Sequence, residues 1–280
     1  MTFKIGNVIS YINDKNVFLS RSFKTVSTLS SPGNHLLQLC EKYISDYILY
    51  NNLDLHDVYL RYLHFISQYS TDLENFKKYG KYPFELNTNK NFDRISYDIS
   101  LILSIFYSIP RFNIMNELFN VVQRFNGRTA IIGIGSGLEL FIIKNAIKSI
   151  KNFDLYDLKL NAFITYKFPD CTNIIENEYD RKYGPYDQVL AIELLEHLSH
   201  PWKLIKEVSL SLNSGGKFIF TTATDMPQSD HLYNFNCMKK LQNRLEKCNL
   251  KILNNYDFYH NYLKGPNNSK NTWFECAFIN

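Results

Sequence analysis

Before Asn126, apolar side chains recur at the spacing of α-helices that bury one face. Three such stripes are present, carried by Leu36, Leu37, Cys40, Tyr43, Ile44, Tyr47 and Ile48, by Val58, Tyr59, Tyr62, Leu63 and Ile66, and by Ile114, Met115, Leu118, Phe119 and Val122. The segment 78–93 between the second and third stripes is polar and contains Gly80 and Pro83, which favour turns. Residues 1–125 are therefore predicted to form a helical N-terminal region.

From residue 126 onward, short apolar runs alternate with amphipathic segments, which is typical of βαβ units. Seven runs are predicted to be strands: 129–134, 153–158, 172–175, 188–192, 217–222, 250–253 and 272–279. The last two are joined by a loop at 265–268 with no helix between them, so they are predicted to form an antiparallel edge pair. The predicted fold class is α/β, with a Rossmann-like seven-stranded sheet over residues 126–280.

Composition narrows the class of protein. Of the 280 residues, 45% are hydrophobic and 21% charged, which indicates a globular chain. The net charge of +4 is scattered, so no nucleic-acid partner is expected. Five cysteines without a Cys-x-x-Cys pair argue against a disulfide scaffold or structural zinc. No signal peptide pattern or membrane-spanning stretch is visible, so a cytoplasmic protein without membrane contact is expected.

A glycine cluster ends the first predicted strand: Gly133, Gly135 and Gly137 precede a helix that begins near Leu138. The missing Cβ atoms let backbone approach a bound ligand closely. A dinucleotide site favours a small residue where Leu138 lies, so the spacing departs from that motif. Asp157 ends the second predicted strand, where a carboxylate can accept both hydroxyls of a ribose. The alternative is a tight structural turn with a solvated aspartate.

The most informative segment contains Glu193-Leu-Leu-Glu196-His197-Leu and, further on, a Gly-Gly pair at 215–216. Together with the glycine turn, this segment closely resembles class I S-adenosylmethionine-dependent methyltransferases, particularly the small-molecule group. The resemblance covers about residues 128–224 well and the last 50 loosely, whereas the first 125 residues resemble no family that we can name. It implies an enzyme (EC 2.1.1) that transfers a methyl group in line to an oxygen or nitrogen of a small-molecule acceptor.

The resemblance also implies roles for individual residues. The three glycines would border the methionine and ribose parts of S-adenosylmethionine, Asp157 would bind the ribose, and Glu193 would face the sulfonium or the acceptor. A residue after the third strand would contact adenine: Glu176, Asn177 or Glu178, of which Glu178 is favoured. Independently of the resemblance, domain order and aromatic content suggest the hypothesis that the helical region covers the site and selects the acceptor, through residues near its end: Tyr97, Phe106, Tyr107, Arg111 and Phe112.

One departure from the family pattern leaves an alternative function open. The family usually has an acidic residue two positions before the first glycine, and Ile131 occupies that position here. The chain could therefore be a methyltransferase-like protein that binds a partner without catalysis. A nicotinamide-dependent oxidoreductase is disfavoured by Leu138 and by the Glu-Leu-Leu-Glu-His segment.

Two histidines are candidates for the chemistry. In the class I fold the loop after strand five overhangs the methyl donor, so His231 could act as general base with Asp230 orienting it. If a helical turn begins at Glu193, then Glu193, Glu196 and His197 share one face and could bind a divalent metal ion, with His231 as fourth ligand. RNA 3′-end methyltransferases have a related arrangement. Alternatively, Glu196 and His197 brace the turn without a metal.

Overall fold

The structure, a computed structural model, describes residues 7–29, 35–86, 93–147, 153–170, 173–176, 178–260 and 268–279. The helices are α1 (Asn7–Lys15), α2 (Val17–Leu29), α3 (Leu36–Tyr50), α4 (Leu55–Tyr79), α5 (Arg94–Tyr107), α6 (Ile109–Val121), α7 (Leu138–Ala146), α8 (Ala162–Lys167), α9 (Pro201–Ser209) and α10 (Met238–Glu246). The strands are β1 (Thr129–Ile132), β2 (Phe153–Asp157), β3 (Asn173–Glu176), β4 (Tyr186–Ala191), β5 (Leu212–Thr224), β6 (Leu250–Tyr259) and β7 (Lys270–Phe278).

These strands form one mixed sheet in the order β3-β2-β1-β4-β5-β7-β6. Strands β1 to β5 pair in parallel, and β7 runs antiparallel between β5 and β6. The predicted α/β fold and its antiparallel edge pair are confirmed, although most of the loop predicted at 265–268 lies outside the described residues. The strand order reverses between β1 and β4, and ligands of open α/β sheets bind at such a switch point.

Two strands are much longer than predicted, whereas the bounds of the other strands differ from the prediction by one or two residues. Strand β5 begins at Leu212, so residues 213–216, predicted to follow a helix, belong to the strand, and α9 ends earlier, at Ser209. Strand β6 continues to Tyr259 because β7 pairs with it along that whole length. Residues 254–257 of β6 are polar or exposed, as expected for a strand with one solvated face, so apolar character alone ends the strand too soon.

The three N-terminal stripes coincide with α3, α4 and α6, which confirms them as helices. Helix α5 has no clear stripe because it is buried on most of its circumference, with eight of its residues buried: Ser96, Asp98, Ile99, Ser100, Ile102, Leu103, Ile105 and Phe106. A helix packed on several sides has no polar face to give it a period.

One continuous core joins the N-terminal helices to the sheet. It contains Tyr43 and Phe106 from the helices together with Leu155 of β2, Phe163 of α8 and Trp273 of β7. A second core covers the opposite face of the sheet beneath α9 and α10. The sheet thus lies between two helical layers, and the first core crosses the predicted boundary at residues 125 and 126. None of the helices in the described part of the chain has the length and apolar character that a bilayer-spanning segment requires.

Tyr43 of α3 should stabilise the fold through a buried hydrogen bond. Its hydroxyl donates to the carbonyl of Ser136 at 2.7 Å. We expect Tyr43→Phe to lower the free energy of unfolding by about 1 kcal/mol, because the buried carbonyl loses its donor. Urea denaturation measures this. The control is Tyr50→Phe in the same helix, whose side chain is exposed, and equal losses in both variants would contradict the assignment.

Candidate active site

Two neighbouring turns, after β1 and after β2, are held together by one carboxylate and one guanidinium. Asp157 accepts hydrogen bonds from the backbone N–H groups of Gly135 and Lys159, each at 3.0 Å. Arg94 of α5 donates to the carbonyl oxygens of the same two residues, at 2.5 and 2.9 Å. We call Asp157 and Arg94 the turn clamp. It fixes the backbone that surrounds the switch point of the sheet.

All three glycines of the turn have positive φ, but the space around a Cβ atom differs among the three positions. A Cβ on Gly135 would find its nearest neighbour 3.6 Å away, so there is room beside it, whereas one on Gly133 would lie 2.8 Å from Leu194. Both residues line a cavity. Gly137 is not among the lining residues, and its Cβ would lie 2.7 Å from the Tyr43 hydroxyl. Packing against α3, rather than a ligand, therefore explains Gly137.

Two cavities meet at Asp157. The larger, of about 470 Å³, lies between the N-terminal helices and the carboxyl ends of the strands. The smaller, of about 320 Å³, lies beyond β2, and Gly133, Asp157 and Leu194 line both. Glu178 lines the smaller cavity and is exposed, with one oxygen 3.6 Å from Nζ of Lys203. The other adenine candidates fall outside what the structure describes: Asn177 entirely, and Glu176 in its side chain.

The larger cavity has an aromatic side and a polar end. Its aromatic residues come from α4 and α5: Tyr62, Phe65, Tyr69, Tyr97 and Tyr107. Its polar end contains Glu196, His197, His231 and His260. Arg111 also lines the cavity, whereas Phe106 and Phe112 are buried in the core and do not. Three of the five residues expected to cover the site are therefore at the cavity: Tyr97, Tyr107 and Arg111.

Glu193 follows β4 in the left-handed region, with φ of 47°, which is rare for a residue with a side chain and concentrates at functional sites. Its backbone N–H donates to Oγ1 of Thr221 at 2.7 Å. No helical turn begins at Glu193, and residues 195–197 form a short 3₁₀ turn instead. The prediction that Glu193 shares a helical face with Glu196 and His197 is therefore wrong.

The side chain of Glu193 forms an ion pair with α6 and does not join His197 and His231. Arg111 pairs through one terminal nitrogen with Glu193 and through the other with Glu139 of α7, at 2.6 Å. Glu193 also accepts a hydrogen bond from the side-chain amide of Asn271 at 3.2 Å. Sequence analysis did not single out Glu139, Asn271 or Arg94, because none of them belongs to a recognisable motif.

Glu196, His197 and His231 form what we call the Glu-His cluster. Potential ligand atoms of the three lie within 4.8 Å of one another. Nδ1 of His231 lies 2.7 Å from the carbonyl of Met226, and Nδ1 of His197 lies 3.1 Å from that of Asp230. Since a carbonyl only accepts, each Nδ1 carries a hydrogen, and in the neutral form of each ring Nε2 keeps a lone pair. The buried Oε2 of Glu196 has no hydrogen-bond partner among the residues that the structure describes.

Burial and neighbouring charges give these groups different protonation states. Burial raises the pKa of Glu196 to about 7, although His197 opposes the shift. Burial, assisted by the charge of His197, lowers the pKa of His231 to about 4. Burial also tends to lower the pKa of His197, but the carboxylates of Asp230 and Glu196 outweigh it and raise that pKa. Near neutral pH, His231 is therefore the neutral imidazole and can accept a proton.

Asp230 does not orient His231, which corrects the prediction. Its carboxylate lies 3.4 Å from Nδ1 of His197 and hydrogen-bonds the hydroxyl of Tyr97. The carbonyl of Met226, five residues earlier in the chain, holds His231 instead. Asp230 and His231 are adjacent in sequence but contact different partners, which their adjacency does not predict.

Comparison with known proteins identifies the type of fold. No protein-family model and no curated protein matches the chain. Among solved structures, the pyocyanin biosynthetic protein PhzM superposes with a TM-score of 0.55 at 14% identity, over 80% of this chain and 72% of that one. The fold is that of the class I methyltransferases.

Two further solved structures align less well with this chain. A 1,6-didemethyltoxoflavin N1-methyltransferase from Burkholderia thailandensis gives a TM-score of 0.48 at 11% identity, covering 68% of this chain and 92% of that one. The [4+2]-cyclase SpnF gives 0.45 at 12% identity, covering 62% and 82%. At such identities, similarity extends to the fold alone, and function must be argued from the site.

The class I fold places Ile131 inside β1, where it is buried, so no carboxylate projects from that position. Carboxylates do line the larger cavity from elsewhere: Asp157, Glu139, Glu193 and Glu196. The acidic groups at this cavity therefore come from elements other than β1.

His260 should make stability depend on pH. Burial lowers its pKa to about 4, and its Nε2 lies 2.5 Å from Oδ1 of Asn271. The ordinary pKa of histidine is 6.5. Between pH 6.5 and about 4, His260 therefore binds a proton in the unfolded chain but stays neutral in the folded chain. Stability from a neutral His260 is thus present above pH 6.5 and lost as pH falls.

We expect His260→Gln to flatten the fall in unfolding free energy over that interval, measured by urea denaturation at a series of pH values. His200→Gln, at an exposed position, is the control and should retain the wild-type slope. Identical slopes in all three proteins would contradict the role of His260.

Proposed function

We propose that this protein transfers the methyl group of S-adenosylmethionine to an oxygen or nitrogen of a small-molecule acceptor. The observation that carries the proposal is the position of Asp157, at the junction of two cavities and beside the open space at Gly135. A carboxylate there can accept the hydroxyls of a ribose while the two ends of the ligand occupy different cavities. The class I fold supports the same assignment.

The two cavities suit the two ends of the donor. The smaller cavity would hold adenine beside Tyr156 and Glu178, and the larger would hold the methionine tail next to Gly133 and Gly135. When bound, S-adenosylmethionine supplies an electrophilic methyl group on a sulfonium. The remaining space, lined by the aromatic residues of α4 and α5, would hold the acceptor. We infer a cytoplasmic enzyme of class EC 2.1.1 without a nucleic-acid partner.

His231 supplies the proton acceptor. A lone pair of the acceptor forms a bond to the methyl carbon, the carbon–sulfur bond breaks, and its electron pair remains on sulfur. The proton of the attacking hydroxyl or amine goes to Nε2 of His231, which is unprotonated near neutral pH because burial lowers the pKa of this histidine to about 4 and the ring hydrogen lies on Nδ1, which donates to Met226. Alignment of the two reactants in a site shielded from water can lower the barrier by roughly 7–11 kcal/mol.

The donor site can be tested through Asp157. We expect the folded wild-type protein to bind S-adenosylhomocysteine in isothermal calorimetry and Asp157→Asn to bind it at least about tenfold more weakly, because the ribose loses a charged acceptor. Asparagine keeps one oxygen, which can accept from the N–H of Gly135 or from that of Lys159 but not from both, so circular dichroism must show that the variant is folded. Asp170→Asn, in an exposed turn, is the matched control.

If folded wild-type protein did not bind S-adenosylhomocysteine at millimolar concentration, the methyltransferase proposal would fail and a non-catalytic binding protein would be supported. Binding of NADH in a fluorescence titration would instead support an oxidoreductase.

A metal-assisted methyltransferase is a second candidate, favoured by the Glu-His cluster. One carboxylate and two imidazoles suit a divalent transition metal ion, and the unpartnered Oε2 of Glu196 fits a ligand position. The backbone carbonyls on both Nδ1 atoms are the contacts that orient metal-binding histidines. Such an ion, when bound, would acidify and orient an acceptor hydroxyl. His231 cannot then be the base, because its Nε2 has one lone pair.

Metal binding has its own measurement. In this second candidate, protein dialysed against EDTA should bind one Mn²⁺ or Zn²⁺ per chain in calorimetry, and His197→Ala and His231→Ala should each abolish binding. His200→Ala, an exposed neighbour, should bind like the wild type. Equal binding by all four proteins, or by none, would remove the metal from the proposal and leave His231 as base.

A further inference from the structure

A buried arginine holds two glutamates at one wall of the larger cavity. Arg111 is 5% exposed, and its two terminal nitrogens pair with Glu139 and Glu193, which come from the start of α7 and the end of β4. Both glutamates line the cavity together with Gly133 and Gly135. The group lies next to the glycine turn, on the side where the donor's amino-acid tail would be.

This group contains two carboxylates and one guanidinium. Burying a charge without a partner is costly, so an excess carboxylate in such a place favours a cationic ligand. Asn271 gives Glu193 a hydrogen bond but no charge. Among the described residues that line the cavity, the other arginine is Arg94, and its charge is already paired with Asp98 at 2.9 Å.

An ammonium group matches this site better than a sulfonium does, because it can donate hydrogen bonds to both carboxylates. The tail of S-adenosylmethionine carries an ammonium, and β1 offers it no acid because Ile131 occupies the position where the family has one. We propose that Glu139 and Glu193 bind the ammonium group of the donor, so that α7 and β4 supply the charge that β1 lacks. This inference rests on the proposed methyltransferase function.

Three ligands without a sulfonium separate the ammonium from the rest of the donor: S-adenosylhomocysteine, its desamino analogue, and 5′-methylthioadenosine, which has no amino-acid tail. In calorimetry we expect the wild type to bind S-adenosylhomocysteine at least about tenfold more tightly than the desamino analogue, the size of one charge-assisted contact. Equal affinities for these two ligands would overturn the inference without reference to any variant.

The variant Glu139→Gln assigns the effect to a residue. It removes the charge but keeps an oxygen that can accept from Arg111. We expect the preference for S-adenosylhomocysteine over its desamino analogue to fall to about threefold or less, with unchanged affinity for 5′-methylthioadenosine, which also shows that the variant is folded. Glu193→Gln should reduce the preference in the same way, and it provides the test if Glu139→Gln does not fold. Glu246→Gln, exposed on α10, is the matched control and should keep the wild-type preference.

The outcomes distinguish this inference from the proposed function. If the wild type binds none of the three ligands, the methyltransferase proposal fails, and the inference with it. If it binds S-adenosylhomocysteine and 5′-methylthioadenosine, but the preference for the amino group is absent or survives in both glutamate variants, the inference is wrong and the methyltransferase proposal stands.

Discussion

The site depends on the turn clamp. The turns after β1 and β2 present N–H and C=O groups that no strand partner satisfies, and Asp157 and Arg94 bind one kind each. Charge-assisted hydrogen bonds of this kind are about twice as strong as neutral ones. Arg94 is itself held by Asp98, which is fully buried and accepts from the hydroxyl of Tyr47 at 3.0 Å. The backbone at the junction of the two cavities is thereby tied to the interior of the helical layer.

The N-terminal region holds several of the loops that border the larger cavity from the sheet side. Beyond Arg94 at the glycine turn and Arg111 at the end of β4, Asp72 of α4 accepts from Ser229 at 2.8 Å, and the hydroxyl of Tyr82 accepts from the backbone of Met226 at 3.2 Å. The last two contacts position the loop that contains His231. Residues of the N-terminal region therefore contribute to the geometry of the loops at the carboxyl ends of the strands, which is one way in which a common fold acquires a particular chemistry.

Features that depend on short stretches of sequence were predicted better than features that depend on contacts between distant residues. The strands from β1 to β4, the glycine turn and the place of Asp157 at the end of β2 depend on short stretches of chain, and the structure has them close to where they were predicted. Helix α5 was not predicted because it is buried on most sides. The end of β6 was not predicted because pairing with β7, and not local apolar character, defines it. Of the four residues predicted to share a metal site, three form the Glu-His cluster. The fourth, Glu193, pairs instead with Arg111, which is 82 residues away in sequence.

The alternation of apolar runs and the spacing of glycines were enough to determine an α/β protein with a glycine turn after its first strand, because periodicity and backbone conformation are local properties. Only the tertiary structure decided which charges meet. Arg111 reaches Glu139 and Glu193, and Asp230 turns to His197, because helices from one part of the chain pack over strands from another. A charge pair depends on distance in space, and distance in space follows from the packing of whole elements rather than from the order of residues.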